Sequence, residues 1–137
     1  MLIEYLQHAD EVYVVLLRAG YQSKSVDFFT EDENEIQMGM FLRKKGYTVE
    51  PHKHVCQPFQ LTTMQEYILV RFGQLKMDFF TDAGKLYNSV ILNTGDSVLT
   101  MKGGHSITFL EESSILEIKQ GPYAENKKVF FDSHSSH

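Results

Sequence analysis

His52 and His54 stand two residues apart, shortly after Gly46 and Pro51. In an extended segment alternate side chains project to one face, about 6.7 Å apart along the backbone. Both imidazoles can then converge on one ion, at nitrogen-to-metal distances of about 2.0–2.1 Å. Taken alone, such a pair is ordinarily two surface histidines. His105 follows Gly103 and Gly104, whose missing side chains leave space around an imidazole. Glu66 opens a stretch in which Ile68, Val70 and Phe72 share its face, so it is the one charged group on an apolar surface. A buried carboxylate must be paired, protonated or bound to a cation, and a metal would satisfy it together with the three histidines. At the rim of a sheet the same group would simply be hydrogen-bonded or in water.

Other residues speak less clearly. Cys56 shares the face of His52 and His54 if the extended segment continues, and the usual behaviour of a free thiol makes it a buried, inert side chain rather than a metal neighbour. Glu50 reads as an exposed acid before a general base. Tyr123, after Gly121-Pro122, reads as part of a turn. The acidic run at 31–35 is most simply a solvated loop, with a second cation site as the alternative. No Ser-His-Asp order with an elbow, no zinc-finger cysteine spacing and no Gly-rich phosphate loop occurs.

The elements that must carry these residues are read from turn signals and alternation. Short apolar runs punctuated by Gly, Asn, Asp and Thr every 8–12 residues or so suggest an all-β sandwich or barrel. Residues 74–80 alternate Leu75, Met77 and Phe79 with Gln74, Lys76 and Asp78, which is the period of a half-buried strand. Turns at 81–84, 93–96, 102–104 and 111–113 then separate strands expected at 86–92, 97–101, 105–110 and 114–119. Upstream, 66–72 and 38–44 read as strands, and the β-branched and aromatic content of 9–19 favours a strand over a helix. Residues 12–17 form the longest apolar run, far below the roughly 20 needed to span a bilayer, so no membrane crossing is expected.

With 137 residues the chain is expected to form a single domain over 1–131, followed by a disordered Ser/His tail at 132–137. Its net charge of −5 disfavours nucleic acid, because Arg43-Lys44-Lys45 and Lys127-Lys128 are short and flanked by acids. One cysteine and no basic stretch before an apolar one at the start point to the cytoplasm.

Gly46, His52, His54, Glu66 and Gly73, in that order, resemble the first motif of the cupin superfamily, and Gly95-Asp96, Gly103 and His105 resemble the second. Residues 117–123, Glu-Ile-Lys-Gln-Gly-Pro-Tyr, are similar to the closing segment of small cupins found with surface-polysaccharide and sugar-nucleotide genes. The resemblance covers about 38–123. Met101 stands where the family has a proline and Phe109 near where it has an asparagine. Eleven residues separate His54 from Glu66, more than in the family, so Gln57 or Gln60 is an alternative ligand.

The resemblance implies a cupin-like double-stranded β-helix, a jelly-roll barrel, with His52, His54, Glu66 and His105 as a metal site. That donor set suits Zn, Fe, Mn or Ni. Open coordination positions would polarise a carbonyl or stabilise an enediolate, as an isomerase or epimerase requires, and a redox-active metal would serve an oxygenase. A small polar substrate such as a sugar nucleotide is expected, with a non-catalytic ligand-binding module as the alternative. A homodimer is expected too, with residues 12–17 as the candidate strand for pairing with a second subunit.

Overall fold

The computed structural model describes residues 1–125 and 128–132. Of the expected tail only Asp132 is among them, so His134 and His137 lie outside the described residues. The strands are β1 (Ile3–His8), β2 (Glu11–Leu17), β3 (Val26–Phe28), β4 (Gly39–Phe41), β5 (Glu66–Phe72), β6 (Gln74–Phe80), β7 (Leu86–Asn93), β8 (Ser97–Thr100), β9 (Gly104–Phe109) and β10 (Ser114–Lys119). No helix occurs among the described residues, and so none is long and apolar enough to cross a membrane. The chain divides into two compact units, one of Met1–Tyr21 with Met64–His137 and one of Gln22–Thr63.

The first unit contains a five-stranded sheet in the order β1-β2-β8-β5-β10 and a three-stranded sheet in the order β7-β6-β9. All their pairings are antiparallel. Strict alternation on β6 buries Leu75, Met77 and Phe79 and leaves Gln74, Lys76 and Asp78 half-buried. Leu92 joins them from β7, and Leu6, Val14, Leu16, Ile68, Val70 and Val98 meet them from the five-stranded sheet. The core is therefore the space between two sheets packed face to face. Both sheets are open, ending in β1 and β10 or in β7 and β9, so the architecture is a sandwich of open sheets and not a closed barrel.

Turn chemistry explains where the strands stop. Ala9 and Asp10 both have positive φ, 51° and 64°, as a two-residue hairpin of matching twist requires, and they join β1 to β2. Gly103 has φ of +75°, and a Cβ there would lie 2.3 Å from the Phe80 carbonyl oxygen, so backbone conformation and space both demand glycine. After β7, Asp96 ties the sheet together. Its carboxylate accepts from Arg18 Nη1 at 3.0 Å, Ala19 N at 2.9 Å and Asn93 N at 2.8 Å.

β2 corrects one expectation. It lies between β1 and β8, with residues 14–17 all buried, so the apolar run at 12–17 is an inner strand with no edge to offer a partner.

The second unit holds the antiparallel β3–β4 pair. The strand expected at 38–44 shrinks to the three residues of β4, and no strand forms over 42–65. The acidic run is more organised than a solvated loop. Glu35 accepts from Thr62 N at 2.7 Å, Thr62 Oγ1 at 2.5 Å, Thr63 N at 3.2 Å and Thr63 Oγ1 at 3.0 Å. These bonds, led by the Thr62 hydroxyl, hold its carboxyl down at about 2. Gln37 Nε2 meanwhile donates to the carbonyls of Glu31, Asp32 and Asn34, which fixes the turn.

Candidate functional site

Polar side chains gather at one end of the sandwich interior. The inner face of β5 carries Glu66, Ile68 and Val70, and the two aliphatic residues are fully buried. Glu66 is held in line with them by register, lying opposite Thr100 on β8 and Lys119 on β10. Thr100 Oγ1 donates to the Glu66 carbonyl at 3.2 Å. Just upstream, Gln65 N donates to Gln120 Oε1 at 2.6 Å, which anchors the entry to the strand. From the facing sheet comes His105, which lies opposite the buried Phe79 of β6. His105 Nε2 and Glu66 Oε2 are 3.5 Å apart.

Glu117 completes the cluster. Paired with Ile68, it points to the same inner face, and its carboxyl is hydrogen-bonded to that of Glu66. Burial pushes the Glu66 carboxyl up to about 7, and the Glu117 hydrogen bond and charge add to the effect, against the pull of Lys119 and Lys128. Glu117 moves the other way, its carboxylate stabilised by the hydrogen bond from Glu66. Burial lowers His105, with Glu117 opposing it, so near neutrality the imidazole is uncharged. The arrangement is thus a neutral imidazole beside two carboxyl groups that share a proton, with lysines at the margin. Such a set can accept or donate a proton, and once deprotonated it offers nitrogen and oxygen donors to a cation.

Next to it lies an aromatic group. The rings of His8, Tyr13 and Tyr87 are each 5.6 Å from the other two, and Phe79 is 6.5 Å from Tyr87. Among the described residues the buried Tyr87 hydroxyl has no hydrogen-bond partner, and burial, helped by Tyr13, pushes it up to about 12.

The four expected ligands fall into two pairs. Glu66 and His105 are brought together in the first unit. His52 and His54 are brought together in the second, with ring centroids 5.1 Å apart and His52 Nδ1 2.7 Å from the Glu50 carbonyl. They lie outside any strand, so the pair stands on no sheet face, contrary to the alternation expected. Among the described residues no group of three or more His, Cys, Asp or Glu side chains is gathered as a metal cluster. Gln57 and Gln60 are exposed on the same strandless stretch. Cys56 is exposed, contrary to the buried thiol expected, because that stretch joins no sheet. Glu50 and Tyr123 are exposed as well.

The glycine pair before His105 also acts differently from expectation. Gly103 admits the Phe80 carbonyl and the Tyr13 ring, and Gly104 admits the Phe131 ring, so the space serves other groups than the imidazole. Glu117 and Tyr87 carry roles that the sequence did not signal. Leu116 and Ile118 alternate with Glu117 and Lys119, a pattern that reads as apolar inward; on β10 the register with β5 puts Glu117 and Lys119 on the inner face, and all four residues are exposed. The chain matches no family model, no curated protein and no solved structure.

Proposed function

We propose that the protein is a cupin-like, metal-binding protein of the cytoplasm that acts on a small polar substrate at the Glu66 end of its sandwich. The observation that carries this reading is the pairing of Glu66 with His105, a carboxyl and an imidazole facing each other from two sheets. The proposed ligands on the sandwich are Glu66 and His105, and the proposed metal is divalent Zn, Fe, Mn or Ni. The donor chemistry fits, since a half-buried carboxyl crowded by a second one is relieved when a cation replaces the shared proton. Bound there, the metal would act as a Lewis acid toward a substrate oxygen. Glu117 would hold or release a proton beside the substrate, and Glu66 would fix the metal end of the site. An isomerase or epimerase acting on a sugar nucleotide or a related carbohydrate uses such a combination.

The test is elemental analysis of untagged protein after reconstitution, alongside Glu66→Gln, His105→Ala and His52→Ala. The expected result is about one ion per chain in the wild type and much less in Glu66→Gln and His105→Ala. Metal retained in His52→Ala but lost in the other two would restrict the site to the sandwich. No metal in the wild type would refute the reading. A second reading, a binding module without turnover, draws on the buried, unpartnered Tyr87 hydroxyl, which a bound ligand oxygen would satisfy. Chelation abolishing turnover of a sugar nucleotide favours the enzyme; binding without product favours the module.

A further inference from the structure

β10 is an edge strand of the five-stranded sheet, and its free side presents unpaired backbone N–H and C=O groups among the described residues. Natural edges are usually blunted by bulges, proline or inward charge, because an open edge is a template for another strand. β10 lacks proline, its register irregularity falls at its first residues, Ser114/Ile115, its two inward charges, Glu117 and Lys119, are of opposite sign and pair with each other at 3.5 Å, and its outer face exposes Leu116 at 46% and Ile118 at 57%. The sequence of the strand is also complementary to itself. If two copies pair antiparallel about Ile118, each Glu117 faces Lys119 of the other, and Leu116 faces Gln120. The parity is right for one continuous sheet: Glu117 and Lys119 share the inner face, and Leu116, Ile118 and Gln120 alternate with them.

We propose that a second copy of this chain adds to the β10 edge in this register, forming a two-fold dimer in which each copy's Lys119 enters the other's Glu66–Glu117 site. Within one chain Lys119 Nζ already lies 3.5 Å from Glu117 Oε1. The pairing brings a second ammonium to the same carboxylates, so that two acids in each site face two cations in place of one. Opposite charges directly across a strand pair favour the register, and the alternative centred on Glu117 would set like charges against each other. Ile118 meets its own copy on the axis, and the apolar outer positions become one continuous strip. This goes beyond the metal reading and does not depend on it, because the pairing is set by the edge and its charges.

The experiment is site-specific cross-linking of the full chain in a Cys56→Ser background, since Cys56 is exposed and would form bonds of its own. Residues facing each other across an antiparallel pair have Cα atoms about 4.5–5.5 Å apart, within disulfide reach. Ile118→Cys is therefore expected to give a covalent dimer under mild oxidation. Leu116 would lie four residues from its own copy, about 13 Å away, so Leu116→Cys is expected to stay monomeric despite similar exposure. Equal cross-linking of both variants, or of neither, overturns the register. A second measurement uses charge. Glu117→Lys and Lys119→Glu should each be monomeric by light scattering, and an equimolar mixture of the two should restore a dimer, because only the mixed pair faces lysines with glutamates. Single variants that remain dimeric, or a mixture that stays monomeric, overturn the proposal. Metal content measured on the same samples separates this outcome from failure of the metal reading.

Discussion

Replacing Glu66 by glutamine should stabilise the metal-free protein above neutral pH while removing its candidate ligand. Burial and Glu117 raise this carboxyl from the ordinary 4.5 to about 7. Between those two values the native state retains a proton that the unfolded chain has released. Stability attributable to Glu66 therefore falls as pH rises from about 4.5 through about 7. At about 1.4 kcal/mol for each tenfold change in proton affinity, the displacement sets a ceiling of about 3 kcal/mol. The group is only partly buried and solvent screens it, which reduces the expected effect to about 1–2 kcal/mol. Glu117 acts in a different window: its pKa is lowered, so its contribution is present above 4.5 and is lost as pH falls below that. A glutamine amide at 66 keeps a donor to the Glu117 carboxylate and never ionises. Urea unfolding in a chelator, repeated from near pH 5 to near pH 8, gives the comparison. Wild type should lose about 1–2 kcal/mol relative to Glu66→Gln across that range, and the variant should be the more stable protein at the alkaline end. Parallel pH profiles, or a variant less stable near pH 8, would refute the assignment of Glu66 to a desolvated, proton-sharing site.

Two further predictions concern the frame around the site. Asp96→Ala strips Arg18 and two backbone donors of their shared acceptor, and should lower stability by about 3–5 kcal/mol, with Asp96→Asn roughly half as damaging; thermal unfolding should show a fall of at least about 10 °C for alanine. Gly103→Ala should cost about 2–4 kcal/mol, since strain at positive φ is compounded by a clash with the Phe80 carbonyl, whereas Gly46→Ala, at positive φ in open space, should cost about 1 kcal/mol. Equal effects at the two glycines in urea unfolding would show that crowding contributes nothing at Gly103.

Much of the sandwich was legible because alternation and turn chemistry agree there. Glu66–Phe72, Gln74–Phe80 and Ser114–Lys119 form as expected, and the strands at 86–92, 97–101 and 105–110 shift by a residue at their ends. Asp and Gly at the intervening turns fix these boundaries locally. Residues 42–65 have no such agreement. An H-x-H spacing presupposes a strand, but strand formation depends on a neighbour that local sequence does not specify. Hence His52 and His54 stand on no sheet face and Cys56 faces solvent. Glu66 was legible from its apolar neighbours on one strand. Glu117 was not, because which face of an edge strand looks inward is decided by the register with β5, a tertiary fact. The unpartnered Tyr87 hydroxyl is equally tertiary, arising from three rings that meet from two sheets.

The four bonds from Thr62 and Thr63 to Glu35 make the intervening chain a ring with a clasp. A loop closed at its base has little influence on the structure beyond the base, and doubling its length adds only about 0.6 kcal/mol of closure entropy. Inside the clasp, residues 44–61 lie beyond the β3–β4 pair and are the part of this protein most free to lengthen, shorten or change in composition, provided that the glutamate and the two threonines stay. His52 and His54 sit on that interchangeable stretch, whereas Glu66 and His105 sit on paired strands. Related chains that diverge in chemistry should differ first inside the clasp and last on the paired strands that carry Glu66 and His105.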